Sequence, residues 1–178
     1  MGKNIKEEEM YNLDVESNLQ EALSELTAIK NIIDKNKLGS SVPYLVNYAV
    51  IRSSGCLERC YKQLVFDFLQ VDQKHQLNKY LKNNVLESSS NPNTGNILKT
   101  LQGLDGQWSE KFSKHITEIS STDGHKSNLN NLVQSRNDFA HGVNLSNFKI
   151  DTIIKNLESG IYILRILDCV LNDTEVIY

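Results

Sequence analysis

The segment from Ser135 to Gly142 contains the side chains that are best suited to chemistry. It reads Ser-Arg-Asn-Asp-Phe-Ala-His-Gly, with Arg136 and His141 five residues apart. A guanidinium remains charged and binds carboxylate or phosphate oxygens, whereas an imidazole transfers protons near neutral pH. This pair of residue types is suited to proton transfer beside an anion such as a phosphate.

Arg136 is predicted to interrupt the apolar face of a core helix. At about 3.6 residues per turn, one stripe of such a helix is formed by Leu129, Leu132, Val133 and Ala140. Arg136 falls in the middle of this stripe, and a buried guanidinium without a partner is costly. We therefore expect it to meet an internal carboxylate such as Glu58, a partner subunit or a phosphate.

Asn137 and Asp138 are expected to orient His141. They precede it by four and three residues, so their side chains are its neighbours on a helix. Arg136 and His141 would point about 140° apart at ~100° per residue, unless the helix ends at Gly142 and His141 swings across the last turn. The alternative is structural, with a solvated polar face or an internal salt bridge and a histidine that has no chemical role.

Three further segments accompany this motif, and together they resemble the RiboL-PSP-HEPN family. That family is a branch of the HEPN superfamily of small helical proteins, many of which are ribonucleases. Its pattern is a helix with a Leu-Glu pair, an Asn-Pro stretch, a Trp-containing helix and an Arg-Asn-x-x-Ala-His-Gly motif. This chain supplies Leu57-Glu58, Asn91-Pro92-Asn93, Gly106-Gln107-Trp108 and the Arg-x4-His motif from Arg136 to His141. The resemblance covers about residues 42–172.

The resemblance implies an all-α, HEPN-type up-and-down helical bundle with additional short helices. It also implies an endoribonuclease without a metal or other cofactor, whose motif lies at a homodimer interface and whose products carry 2′,3′-cyclic phosphates. Arg136 would stabilise the phosphorane and His141 would transfer protons, with Asn137 and Asp138 orienting the site. The systems with which this family is associated imply a toxin or antiviral defence role and an antitoxin or regulatory partner.

A non-catalytic helical module for binding or dimerisation is the competing interpretation. A regulatory component that needs a partner is a third. The resemblance implies binding or dimerisation roles for several HEPN relatives, and a degenerate member would lose the Arg or the His, whereas this chain keeps both. Some superfamily toxins continue the motif as His-x-Tyr, with a tyrosine that a partner enzyme modifies. Val143 occupies that position here, so this form of control is not expected.

The composition indicates one cytoplasmic globular domain spanning residues 1–178. The chain is 39% hydrophobic and 23% charged, with a net charge of −3. No signal peptide and no apolar run of about 18 residues for a membrane span are expected. Cys56 and Cys60 share a helical face without a second ligand pair, so no metal site is expected. The acidic balance predicts no broad basic face for RNA, and the candidate contacts near the motif are Lys111, Lys114 and Lys126.

Apolar periodicity predicts helices along the whole chain. The first helix, about residues 8–36, is expected to pack on the region of resemblance. A second begins around Pro43, and Trp108 is expected to anchor the core. Between residues 83 and 96 a loop is predicted, and a helix break is predicted at Ser120 to Gly124. The remaining helices are expected near residues 72–84, 97–102, 107–119 and 125–141, and from a cap at Ser146 or Asn147 to Leu171.

Overall fold

The computed structural model describes residues 10–142 and 149–174, with the backbone alone at residues 119–122. Over these residues the chain is helical and has no strand. The prediction of an all-α helical bundle with additional short helices is therefore confirmed. The helices are α1 (Leu13–Lys35), α2 (Val42–Leu69), α3 (His75–Leu81), which continues into a π-helical turn (Lys82–Leu86), α4 (Thr94–Leu104), α5 (Gly106–Asp123), α6 (His125–Ala140) and α7 (Ile150–Leu171).

Helix α7 lies at the centre of the bundle. It contacts α1, α2, α5 and α6, while α1 also packs on α2 and α4 packs on α5 and α6. Most sides of α7 are buried, as expected for a helix that is apolar nearly all round. Its buried apolar residues include Ile153, Leu157, Ile161, Leu164, Leu167 and Val170. The motif helix α6 packs directly on this central helix.

The start of α1 is fastened to the end of α7 by the buried carboxylate of Asp168. This carboxylate accepts hydrogen bonds from the backbone N–H groups of Tyr11 (2.5 Å) and Asn12 (3.4 Å). Burial raises the pKa of Asp168, and the two backbone hydrogen bonds oppose that shift. The side chain of Asn12 also caps α1 by accepting from the N–H of Val15 at 3.1 Å. Because of these bonds α1 begins at Leu13, and the predicted start near residue 8 is wrong.

Helix caps also correct two predicted boundaries. The Asn93 side chain accepts from the N–H of Asn96 at 2.8 Å, so α4 begins inside the predicted loop. The predicted break at Ser120 to Gly124 is confirmed at Gly124, which is left-handed with φ of 69°, but its predicted start at Ser120 is wrong because α5 continues to Asp123. The proposed caps at residues 146 and 147 lie outside the described residues. Helix α7 begins at Ile150.

Helices α2 and α7 approach each other closely at Gly160. A Cβ at this position would lie 2.4 Å from Cδ1 and 2.9 Å from Cδ2 of Leu57. Both residues are buried. A glycine is therefore required here to leave room for the leucine, and the Leu57 of the Leu-Glu pair is a packing residue.

Candidate active site at the end of α6

Helix α6 carries three of the predicted site residues in its last turn and the fourth at its C-cap. Its start is fixed against α7 through His125. The Nδ1 of His125 is 3.1 Å from the Oγ of Ser159, and its ring stacks on Tyr162 at a centroid distance of 4.8 Å. Asn128 donates to the same Ser159 hydroxyl at 3.0 Å. These contacts give His125 a structural role and hold α6 in one orientation.

Arg136 lies on the exposed side of α6, so the prediction that it falls within the buried stripe is wrong. Arg136 and Ala140 are exposed, whereas Ser135 is buried. The Ser135 hydroxyl donates to the backbone carbonyl of Asn131 at 2.7 Å. This hydrogen bond satisfies the hydroxyl and allows it to be buried. The buried side of α6 therefore turns toward Ser135, and the guanidinium faces solvent.

The suggested pairing of Arg136 with Glu58 is also wrong. Glu58 accepts from the ammonium of Lys62 at 2.5 Å, and the same buried ammonium donates to the backbone carbonyl of Ser88 at 2.5 Å. Arg136 instead donates through Nη1 to the Oδ1 of Asn137 at 3.4 Å. Among the residues that the structure describes, no carboxylate forms an ion pair with Arg136. Its charge is therefore available to an external anion.

Asn137 and Asp138 are partly buried and have different partners. The Oδ1 of Asp138 accepts from the Nε2 of Gln134 at 2.6 Å, one turn earlier on α6. Its carboxylate is thus held by Gln134 rather than by the imidazole of His141. The amide oxygen of Asn137 faces the guanidinium of Arg136. Asn137 is the neighbour that steadies the cation.

His141 is exposed and forms the C-cap of α6. Its backbone N–H donates to the carbonyls of Asn137 (3.0 Å) and Asp138 (3.1 Å), so the helical register extends through His141. The left-handed residue comes one position later, at Gly142, with φ of 82°. At ~100° per residue, the Arg136 and His141 side chains leave the helix about 140° apart. One copy of α6 therefore directs them to different sides.

A comparison with protein-family models identifies the family. The model described as RiboL-PSP-HEPN matches residues 17–173, from within α1 through the end of α7. The chain belongs to the RiboL-PSP-HEPN family. This match begins earlier than the region of resemblance read from the motifs, and it takes in most of α1. Searches of curated proteins and of solved structures found no significant match.

The Asn-Pro stretch of this RiboL-PSP-HEPN chain joins α4 to the motif helix. The N–H of Thr94 donates to the Oδ1 of Asn130 at 3.1 Å, and the Asn130 amide donates to the Thr94 hydroxyl at 3.2 Å. The side chain of Asn96 donates to the carbonyl of Asn91 at 3.0 Å. Pro92, which follows Asn91 in the chain, is buried. The sequence pattern did not predict these hydrogen bonds between the start of α4 and α6. The run of Asn and Thr residues was their signal, because such side chains cap helices and bridge segments.

Two other predicted residues make contacts that bear on the site. Trp108 lies partly buried against the core and meets Phe68 edge to face, with centroids 5.2 Å apart, so its packing role is confirmed. The ammonium of Lys111 forms an ion pair with Asp173. Lys114 and Lys126 are exposed. Of the three candidate RNA contacts, Lys111 is therefore already engaged.

Within residues 10–142 and 149–174, no group of three or more His, Cys, Asp or Glu side chains is arranged to hold a metal ion. None of the described helices combines the length and the hydropathy of a membrane span.

Proposed function

We propose that this RiboL-PSP-HEPN chain is an endoribonuclease that acts as a homodimer and cleaves RNA without a metal ion. Its products would carry 2′,3′-cyclic phosphate ends. The observation that carries the proposal is the exposure of both Arg136 and His141 at one end of α6. Neither the core nor a carboxylate of the described chain occupies the guanidinium. Membership of a HEPN family supports the proposal, because HEPN domains are often ribonucleases.

RNA cleavage of this kind requires three groups. A base removes the proton of the 2′-hydroxyl, whose oxygen attacks phosphorus, and an acid protonates the departing 5′-oxygen. A cation stabilises the charge that develops on the phosphorane. An imidazole serves either proton role near neutral pH, and the planar fork of arginine matches two phosphate oxygens. We assign proton transfer to His141 and charge stabilisation to Arg136, with Asn137 orienting the guanidinium and Asp138, bound to Gln134, supporting the last turn of α6.

The number and direction of these groups support the proposed homodimer. The motif supplies one histidine, whereas the reaction needs a base and an acid. In one protomer, the Arg136 and His141 side chains leave α6 about 140° apart. A two-fold axis beside the end of α6 would present two histidines and two arginines to one cleft. One imidazole would then act as the base and the other as the acid.

The biological setting is proposed from the family alone. A toxin or antiviral defence ribonuclease, restrained by an antitoxin or another regulatory partner, is the setting that the resemblance implies. The net charge of −3 and the ion pair of Lys111 with Asp173 favour contact with few phosphates. Cleavage should therefore depend only weakly on salt concentration.

The test is cleavage of RNA by the purified chain in excess EDTA, with the product ends identified by mass spectrometry. We expect cyclic phosphate ends, a rate loss of roughly 10²–10⁴ in His141→Ala and of roughly 10²–10³ in Arg136→Ala. Arg136→Lys keeps the charge but lacks the fork, so it should recover only part of the rate. His75→Ala is the matched control, because His75 is an exposed histidine on α3.

Two outcomes would contradict the proposal. Wild-type rates in folded His141→Ala and Arg136→Ala would remove both residues from the chemistry. A folded homodimer that cleaves no RNA, alone or with a partner, would favour a non-catalytic binding module. Circular dichroism of each variant separates loss of chemistry from loss of fold.

A further inference from the structure

Cys56 and Cys60 form a thiol pair on α2, away from the α6 motif. Their sulfur atoms lie 3.9 Å apart, within hydrogen-bond distance for sulfur. The two side chains are 4% and 2% exposed. Free cysteines are usually inert when buried in apolar surroundings. This pair is different because polar and charged groups surround it.

A cavity of about 330 Å³ between α1 and α2 has both cysteines in its lining. It is lined by Asn18, Glu21, Arg52, Cys56, Arg59 and Cys60. Asn18, Glu21 and Arg59 are exposed, so the cavity opens to solvent. A second cavity of about 410 Å³ adjoins it at Arg59 and Cys60. A small polar molecule such as a peroxide fits within this cavity, beside the two cysteines.

The charges facing Cys56 favour its thiolate. Arg52 and Arg59 come from α2, and Glu21 from α1 faces the same cavity. Glu25, also from α1, binds Arg52 at 2.6 Å and neutralises part of its charge. The hydrogen bond from Cys60 lowers the pKa of Cys56, and the charge of Arg52 lowers it further, against the opposing effect of burial. The same hydrogen bond and burial raise the pKa of Cys60.

One contact of Cys56 favours its thiol form over the thiolate. The Cys56 thiol donates to the backbone carbonyl of Asn18 at 3.5 Å, a bond that is lost when the thiolate forms. The donor that replaces it is the thiol of Cys60. Cys56 is the sulfur that has Arg52 beside it, which favours Cys56 as the nucleophile and Cys60 as the hydrogen-bond donor.

We propose that Cys56 is a site of oxidation by peroxides. The thiolate sulfur attacks one oxygen of hydrogen peroxide, the O–O bond breaks, and the other oxygen leaves as hydroxide. Sulfur loses two electrons, the peroxide gains them, and the product is the sulfenic acid of Cys56. The 330 Å³ cavity has room for the added oxygen.

Condensation of this sulfenic acid with Cys60 would release water and form a disulfide. Residues four apart on a helix have Cβ atoms about 5–6 Å apart, whereas a disulfide requires about 3.8 Å. Disulfide formation therefore requires distortion of α2. The experiment must exclude this second step in order to isolate the first.

Cys169 provides an internal control for the test. It is partly exposed on α7, and burial raises its pKa. Accessibility alone would make Cys169 the faster thiol, whereas the charges around Cys56 reverse the order. The two cysteines can be compared in one protein by peptide mass spectrometry.

The experiment treats the full chain with hydrogen peroxide and a cyclic 1,3-diketone that traps sulfenic acids. Cys60→Ser keeps a donor to Cys56 but cannot condense with it, and in this variant we expect Cys56 to be trapped roughly tenfold faster than Cys169. Cys60→Ala lacks the donor and should slow trapping at Cys56. The pH midpoint of iodoacetamide alkylation should be lower for Cys56 than for Cys169. Trapping or alkylation of Cys56 no faster than of Cys169, in folded Cys60→Ser, would overturn the proposal.

Discussion

At the scale of single side chains, two adjacent polar residues of α6 form hydrogen bonds with different partners. Asn137 places its amide oxygen 3.4 Å from the guanidinium of Arg136, whereas Asp138 accepts from Gln134 at 2.6 Å. A residue that holds the cation affects where the phosphate is bound. A residue that is hydrogen bonded within its own helix affects mainly the local rigidity of the last turn.

We predict that Asn137→Ala lowers kcat of RNA cleavage more than Asp138→Asn does. Loss of the Asn137 amide leaves the guanidinium unsteadied, and a misplaced catalytic group costs roughly 10- to 100-fold. Asn at position 138 keeps an oxygen for Gln134, so the rate should stay within about threefold of wild type. The measurement is kcat and KM for both variants over a range of pH.

A positioning role for Asn137 requires a further result. The pH profile of kcat should keep its shape in Asn137→Ala, because this variant keeps His141. An equal loss in Asp138→Asn would mean that Asp138 contacts His141 in the active dimer, contrary to this assignment.

At the scale of helices, the contact between α2 and α7 is set by one glycine. A Cβ at Gly160 would meet Leu57 Cδ1 at 2.4 Å, and the leucine side chain is fully buried. Packed interiors give way only partly to added atoms, and an inserted methyl forces shifts of side chains or backbone. The Leu-Glu pair thus joins α2 to α7 through Leu57 and binds Lys62 through Glu58.

We predict that Gly160→Ala lowers the free energy of unfolding by about 1–3 kcal/mol, as overpacking does. Leu57→Ala removes the clash, so the loss in the double variant should be smaller than the sum of the two single losses. Gly103→Ala is the matched control, since its Cβ on α4 would meet nothing within 4 Å. That change should stabilise the chain by ~0.5–1 kcal/mol. Urea unfolding measures all four variants, and additive losses would argue against the clash.

The helices themselves could be predicted because α2 and α7 carry apolar residues at helical spacing over many turns. The sequence pattern could not predict that Arg136 lies on the exposed side of α6. An ideal stripe permits either Ser135 or Arg136 to face inward in the last turns, and the choice depends on the bond from Ser135 to the carbonyl of Asn131 and on packing against α7. The pattern also could not predict that Glu58 binds Lys62 or that Asp138 binds Gln134, because several donors lie within reach of each carboxylate.

At the scale of the whole molecule, the end of α6 is the surface where a second copy completes the proposed site. Each protomer offers one imidazole and one guanidinium on exposed side chains. The remaining histidines of the described bundle stand elsewhere: His125 is bound to Ser159, His115 lies 3.8 Å from Glu118, and His75 is on α3. In the proposed mechanism, the second imidazole of the cleft is His141 of another protomer.

We predict that excess His141→Ala lowers the RNA cleavage activity of a fixed amount of wild-type chain. Exchange of protomers would convert wild-type dimers into mixed dimers with a single imidazole, which lack either the base or the acid. At tenfold excess of the variant, random pairing leaves roughly a tenth of wild-type protomers in intact dimers. The cleavage activity should therefore fall to about a tenth of its value without the variant. Excess His75→Ala is the control and should raise activity, because its mixed dimers keep both imidazoles. Activity that stays proportional to the wild-type chain, under conditions where mass measurement detects mixed dimers, would mean that each protomer cleaves RNA with its own His141.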